Sequence, residues 1–497
     1  MTQRLLIGLC SSFALASLVS GCMTATSPAT GRSFSTSVSP QQEAAMGQKE
    51  HPKILAEFGG AYQEKPELTT YVSSIGQFVA ATSERKDVTY TFTVLNTPDV
   101  NAFAVPGGYI YITRGLLTLA GNEAEVAGVL GHEIGHINAR HTAERMGQQQ
   151  QAQWEVMGAT LLGAIFGGNA GAQWAGSKMG EHAEVQLAQY SQQQEFEADS
   201  LGVRYLKRAT YDPQAMAEFL GSLRAQSQLE AKLAGKDPST VDANNMMASH
   251  PRTVDRVEKA IAEAGPAAPN AMLEPEVYLR KIDGMMFGDD PKEGVIEGRK
   301  FIHPTLHFSF MAPQGFHLVN TPDQVQVGGP KGVAMALDVA DPQPQGDLAD
   351  YIAAGAGYKN ISFRNIQALQ INGMPAATGI TRANTSAGTA DARLVLIRHP
   401  EGKVYEFLVL MSPSVSASYD ATMLQSVQTF QQISASEGSR YRPQRIHIIK
   451  VKQGDTVASL SAQMVVTEDK QDWFRVLNEL KPGEEPKAGR LVKIVTY

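Results

Sequence analysis

Two cysteines, three tryptophans and no excess of basic charge mark this chain of 497 residues. The cysteines, Cys10 and Cys22, are too few to staple a fold, which excludes a disulfide framework. With 43 Lys and Arg against 50 Asp and Glu, the formal net charge is -7. No basic field of the kind nucleic acids attract is present, so nucleic acid is set aside as a partner. The apolar runs are too short for a membrane-spanning helix, and no helical repeat recurs along the chain. What the chain does have is length, which suggests about three domains, and 43% apolar residues, enough for sizeable cores.

The N-terminus carries a targeting pattern. Arg4 precedes LLIGLCSSFALASLV, the size of a signal-peptide core. That run ends in Val19-Ser20-Gly21-Cys22, which resembles a bacterial lipobox. The resemblance implies a lipoprotein signal peptide over residues 1–21, lost together with Cys10, and lipid on Cys22 as the first mature residue. Met23 stands where an Asp would favour inner-membrane retention, so a periplasmic protein anchored to the outer membrane is expected. An ordinary secretory signal with an incidental cysteine is the alternative. Residues 22–40, rich in Ser and Thr, read as a flexible tether.

From residue 41 to 265 the pattern is mainly helical with one strand-like region, TYTFTVLN and AFAVPGGYIYIT, broken at Pro-Gly-Gly. NEAEVAGVLGHEIGHINARHTAERMG follows as one long helix with a glycine stop at Gly147. Residues 148–180, with a glutamine run and a Gly- and Ala-rich stretch, read as a helical hairpin near the site, with membrane contact as the alternative. Further helices hold SQQQEFEADSLGVRYLKRA, starting near Ser191, and follow SHPRTVDR. Residues 298–435 form an α+β accessory unit with an Asn-Gly turn and a hairpin closed by Pro-Glu-Gly-Lys. Residues 445–497 have a β-α-α-β rhythm.

Within the long helix, His132 and His136 stand at i and i+4 on one face, with Glu133 beside them. Zinc on three protein ligands keeps a fourth position for water and lowers that water's pKa to about 7, while a nearby glutamate takes its proton. The apolar flanks and Gly135 mark a buried helix on which two histidines need a polar reason to exist. His141 lies about 140° round a continuing helix from His136. It therefore reads as a surface or outer histidine, not a ligand. The third ligand is sought in Glu195-Phe196-Glu197-Ala198-Asp199. Glu195 and Asp199 again share a face, so one carboxylate can bind metal while the other accepts the free N–H of a ligand histidine. Glu197 is rotated away and reads as solvated surface. His303 and His307 repeat the spacing, but Pro304 intervenes, so they read as unrelated to metal.

The pair H-E-x-x-H and E-F-E-A-D resembles the CAAX prenyl protease-like zinc metallopeptidases, a gluzincin family. The resemblance covers roughly residues 41–264 and implies a mainly α zincin-like fold with a small sheet. It also implies Zn²⁺, one per chain, on His132, His136 and Glu195, with Glu133 as base and Asp199 behind a ligand histidine. NAFAVPGGYIYITRGLL is similar to the family's strand before the active-site helix, which implies that Asn101, Ala102 and Phe103 lie along an edge where an extended peptide can pair. SHPRTVDR resembles a family segment near the metal. By that likeness His250 stabilises an oxyanion or caps the zinc, and Arg256 binds substrate or braces a loop. A helix-capping histidine is the plainer alternative.

VKQGDTVASLSAQ, WFRVLNEL and AGRLVKIV resemble a LysM module, matching at Gly454, Asp455, Thr456 and Asn478. That likeness implies contact with peptidoglycan. The expectation is a multidomain zinc metalloendopeptidase with its catalytic domain at 41–265, acting on unfolded or misassembled envelope proteins and reaching the membrane through a lipid anchor. The competing expectation is a latent or chaperone-like scaffold tethered to the cell wall, its zinc structural. A murein peptidase rests on the C-terminal likeness alone.

Overall fold

The computed structural model describes residues 23–150, 190–233 and 265–497, apart from 323, 359–360 and 386–387, with isolated positions between 235 and 262. Cys22, nearly all of the expected hairpin at 148–180, and both His250 and Arg256 lie outside the described residues.

Residues 23–40 are folded where a flexible tether is expected. Strands β1 (Met23–Thr26) and β2 (Ser33–Thr36) pair antiparallel, Met23 opposite Thr36. Phe34 and Val38 are buried against Ala143, and the Thr36 hydroxyl donates to the Ala143 carbonyl at 2.8 Å. Two well-placed apolar side chains and a paired backbone are enough to order a segment whose composition reads as linker. Helix α1 (Pro40–Glu57) starts at once, with Pro40 in its first turn and a capping box between Ser39 and Gln42.

Helix α2 (Pro66–Ala80) lies beside a small sheet of β3 (Thr91–Leu95), β4 (Ala102–Val105) and β5 (Tyr109–Thr113). Its order is β3-β5-β4, with β3 parallel and β4 antiparallel to β5, so β4 is an edge. The β4–β5 turn needs glycine: Gly108 has φ +97°, and a Cβ there would sit 2.4 Å from the Thr89 carbonyl oxygen.

Short helix α3 (Arg114–Leu119) leads to α4 (Glu123–Ala139), whose first turn is capped by the Asn122 side chain accepting from the Glu125 amide. Residues 124–139 of α4 are all buried, as its apolar flanks require. The helix does not continue to Gly147. Arg140 takes the left-handed conformation (φ 62°, ψ 39°) and α5 (His141–Gln150) begins after it. Left-handed backbone costs a non-glycine residue about 1 kcal/mol. The Arg140 guanidinium offsets this through the Glu43 carboxylate at 3.1 Å and the Val38 carbonyl at 2.8 Å.

Helix α6 (Gln192–Arg208), opened by a capping box of Ser191 and Gln194, packs on α4 through small residues. A Cβ on Gly202 would sit 3.1 Å from the His132 amide nitrogen, and one on Gly135 would sit 3.0 Å from the Ala198 carbonyl oxygen. This close approach brings the histidines of α4 to the carboxylates of α6. Helix α7 (Ala215–Leu233) packs on α4 as well, nearer its N-terminus, where a Cβ on Gly128 would touch both Met216 and Leu206 of α6.

The unit expected as α+β is mostly β. Seven antiparallel strands run in the spatial order 317–320, 325–328, 334–339, 404–411, 388–398, 374–385 and 364–371, beside a four-stranded sheet. Asn372 and Gly373, with φ 48° and 79°, make the expected tight turn. The last segment pairs Gln444–Lys450 with Leu491–Thr496 around helices Val457–Ser461 and Lys470–Leu477, in the order β-α-α-β. It is not a separate bead. Ile446, Leu460, Phe474 and Val492 belong to one apolar core with Val72, Leu117 and Val129. Lys493, fully buried, donates to the carbonyls of Thr118, Leu119 and Ala120 at 2.9, 3.0 and 2.8 Å, at the base of α4. Among the described residues no helix is long and apolar enough to cross a membrane.

Candidate metal centre

Three side chains converge between α4 and α6. Nε2 of His132 lies 3.0 Å from Nε2 of His136, and 3.6 Å from a Glu195 carboxylate oxygen whose partner oxygen is 3.5 Å from His136. All three residues are buried. Tetrahedral zinc with ligands at 2.0–2.1 Å spaces its donor atoms about 3.3 Å apart. The observed separations straddle that value, and two imidazole nitrogens with a carboxylate oxygen are a donor set zinc accepts. The residues therefore fit the ion. Among the described residues they are the one such cluster, and His303 and His307 join none; His307 instead pairs with Glu401 at 2.7 Å.

The outer nitrogens show how the rings are held. With Nε2 turned inward, each ligand carries its proton on Nδ1. For His132 that nitrogen sits 2.9 Å from Oδ1 of Asp199, within reach of a carboxylate that can orient the ring. For His136 it sits 2.8 Å from Nδ1 of His141. His141 must then accept there and carry its own proton on Nε2, which lies 3.3 Å from the Glu197 carboxylate. His141 is fully buried, because the break at Arg140 carries it back toward the site instead of round a continuing helix.

Glu197 is correspondingly not solvated surface, since its side chain is 12% exposed. Arg32 of the N-terminal hairpin reaches it at 3.2 Å and forks onto Glu144 of α5 at 2.6 and 2.7 Å. Burial raises the Glu197 carboxyl, but hydrogen bonds from His141 and Thr30 and the charge of Arg32 outweigh it and hold it down at about 2. Tyr190, just ahead of α6, stacks on His136 with ring centroids 3.9 Å apart, and its hydroxyl pairs with Thr142 at 2.9 Å. Burial pushes that phenol up.

Glu133 is buried next to His132 on α4. The edge strand β4 approaches the centre from one side, where Ala104 and Val105 line a small cavity with His136, Ile137 and Tyr190. Ala102 and Phe103 turn their side chains into the core, Phe103 stacking on Tyr111 at 4.9 Å. Asn101 uses both backbone groups on Thr113. A peptide on this edge would therefore meet backbone, not these side chains.

Two ligand histidines one helical turn apart, a distal glutamate and an adjacent buried glutamate define the zinc metallopeptidase class of site. Residues 66–264 match the model of peptidase family M48. That segment holds His132, His136 and Glu195, so the likeness to the M48 peptidases and the converging side chains fall on the same part of the chain. The chain is 31% identical over 270 residues to the beta-barrel assembly-enhancing protease of Yersinia pestis, covering 53% of each protein. It is 30% identical to the Escherichia coli K12 protein of the same name, covering 44% of this chain and 43% of that one. It is 27% identical to the mitochondrial metalloendopeptidase OMA1 of Schizosaccharomyces pombe, covering 47% and 64% respectively. The match thus spans about half the length of the beta-barrel assembly-enhancing proteases.

Proposed function

We propose that this chain is a zinc-dependent endopeptidase of the bacterial cell envelope that cuts misfolded or stalled envelope proteins, held in the periplasm by lipid on Cys22. The observation that carries the chemistry is the buried convergence of His132, His136 and Glu195 beside Glu133. The envelope setting draws on the lipobox-like segment and on the kinship with the beta-barrel assembly-enhancing proteases.

Bound zinc supplies a Lewis acid that lowers a water's pKa toward about 7 and polarises a peptide carbonyl. Glu133 accepts the proton of the attacking water and returns it to the departing amide nitrogen. Asp199 keeps the His132 ring turned and its Nδ1 protonated. The edge of β4 aligns the extended peptide through its backbone. His250 is assigned either to oxyanion stabilisation or to capping the metal, and Arg256 to substrate or loop contact, on the likeness of SHPRTVDR. The C-terminal segment is assigned a part in peptidoglycan contact on its LysM-like residues.

The test is cleavage of an unfolded envelope protein by the zinc-loaded full chain against Glu133→Gln. A loss of at least about 100-fold is expected for removal of a general base. Equal cleavage by both overturns the mechanism. Cleavage by neither favours the latent scaffold, with a gain of activity in His250→Ala restoring the peptidase reading.

A further inference from the structure

The two ligand histidines are oriented by different means. His132 meets its carboxylate, Asp199, directly at 2.9 Å, whereas His136 reaches one only through a second imidazole, His141, at 2.8 Å. Beyond His141 stand Glu197 and then Arg32, which comes from the hairpin of β1 and β2. We infer that Arg32, Glu197 and His141 form a positioning relay through which the N-terminal hairpin sets the ring of His136. The inference deepens the zinc-site reading above and concerns how that site is held.

Hydrogen-bond direction supports a single arrangement along the whole relay. With Nε2 of His136 facing the metal site, its Nδ1 donates to Nδ1 of His141 at 2.8 Å, which leaves the His141 proton on Nε2, 3.3 Å from the Glu197 carboxylate, and Glu197 accepts from Arg32 Nε and Nη2 at 3.3 and 3.2 Å. Each ring is left one tautomer, the one that presents Nε2 of His136 to the metal. The other face of His136 is closed by Tyr190, so the ring has little room to turn.

The hairpin is fastened to the two elements it must join. Arg32 forks onto Glu144 of α5 while it holds Glu197 of α6, and Glu144 also accepts from Gln194 at 2.9 Å. The Ala29 carbonyl accepts from Arg204 of α6 at 3.0 Å, and Thr36 bonds to Ala143 of α5. Arg32 therefore clamps the helix after the break to the helix carrying Glu195. Strand β1 begins directly after Cys22, so lipid on that residue would pull on the open end of the same hairpin whose turn carries Arg32.

Zinc affinity of the full chain, read by competition with a chromophoric chelator, tests this without a substrate. The visible spectrum of the Co²⁺-loaded chain reports the ligand field at the same site. Isosteric Glu197→Gln is expected to weaken zinc about 10-fold and to shift the cobalt bands. Arg32→Ala should do so more weakly, and Arg32→Lys should recover part of the loss. Arg208→Ala, which removes an exposed partner of Glu84 at the end of the same helix, should change neither. Wild-type affinity and spectrum in both Glu197→Gln and Arg32→Ala overturn the relay, as does an equal loss in Arg208→Ala. If Arg32→Ala does not fold, Glu197→Gln decides. A chain that binds zinc normally, loses it in these variants and cuts nothing counts against the peptidase and not against the relay.

Discussion

At the scale of single residues, the centre depends on angles round one helix. Glu195 and Asp199 are four residues apart and face α4 together, one toward the inward nitrogens of His132 and His136 and one toward the outer nitrogen of His132. Glu197 stands about 200° from Glu195 on the same helix. It cannot face α4 as its neighbours do. It enters the site only because Arg140 adopts left-handed backbone and returns His141 to meet it. Arg140 is therefore a shaping residue, with its guanidinium held on Glu43 while its backbone reverses the chain.

At the scale of elements, the α4–α6 contact sets the distance between the two halves of the ligand set. Gly202 allows it, since a Cβ there meets backbone of α4 that cannot move aside. Gly202→Val is expected to destabilise the fold by roughly 1–3 kcal/mol through overpacking and to weaken zinc binding. Gly221→Ala, on α7 with nothing within 4 Å, should be neutral or slightly stabilising. Thermal unfolding and chelator competition on both variants check the pair, and equal behaviour would refute the packing argument. What could be read from the chain here was local. H-E-x-x-H, the i, i+4 carboxylates, the Ser191 cap and the Asn372-Gly373 turn each follow from a few adjacent residues and a helical or turn period. The break at Arg140 could not be read, because its cause lies about a hundred residues away in Glu43 and Val38. The buried Glu197 escaped for the same reason: what covers it is the hairpin, whose Ser- and Thr-rich composition reads as linker.

At the scale of the whole molecule, the C-terminal segment is built into the base of the active-site helix. Burial pushes the Lys493 ammonium down to about 8 against the opposing pull of Glu479 and Glu125. Its three carbonyl partners close the end of α3 just ahead of the α4 cap. Lys493→Met is expected to destabilise the chain by about 3–5 kcal/mol, because it leaves three buried carbonyls without their donor, each costing about 1–3 kcal/mol. Denaturant unfolding checks this, and a midpoint equal to wild type would show that the segment is docked without being needed. The order of this segment along the chain was legible as β-α-α-β. Its docking was not, since the apolar residues that bury against Leu117 are the same ones a free-standing module would keep inside.

The most direct measurement is a zinc titration of the metal-stripped full chain, following cleavage of an unfolded polypeptide. Cleavage is predicted to be absent without metal and to rise to a plateau at one zinc per chain, and Glu195→Gln should neither bind zinc at that stoichiometry nor cut. Cleavage by the metal-free chain, or wild-type zinc binding and cleavage in Glu195→Gln, would contradict the account.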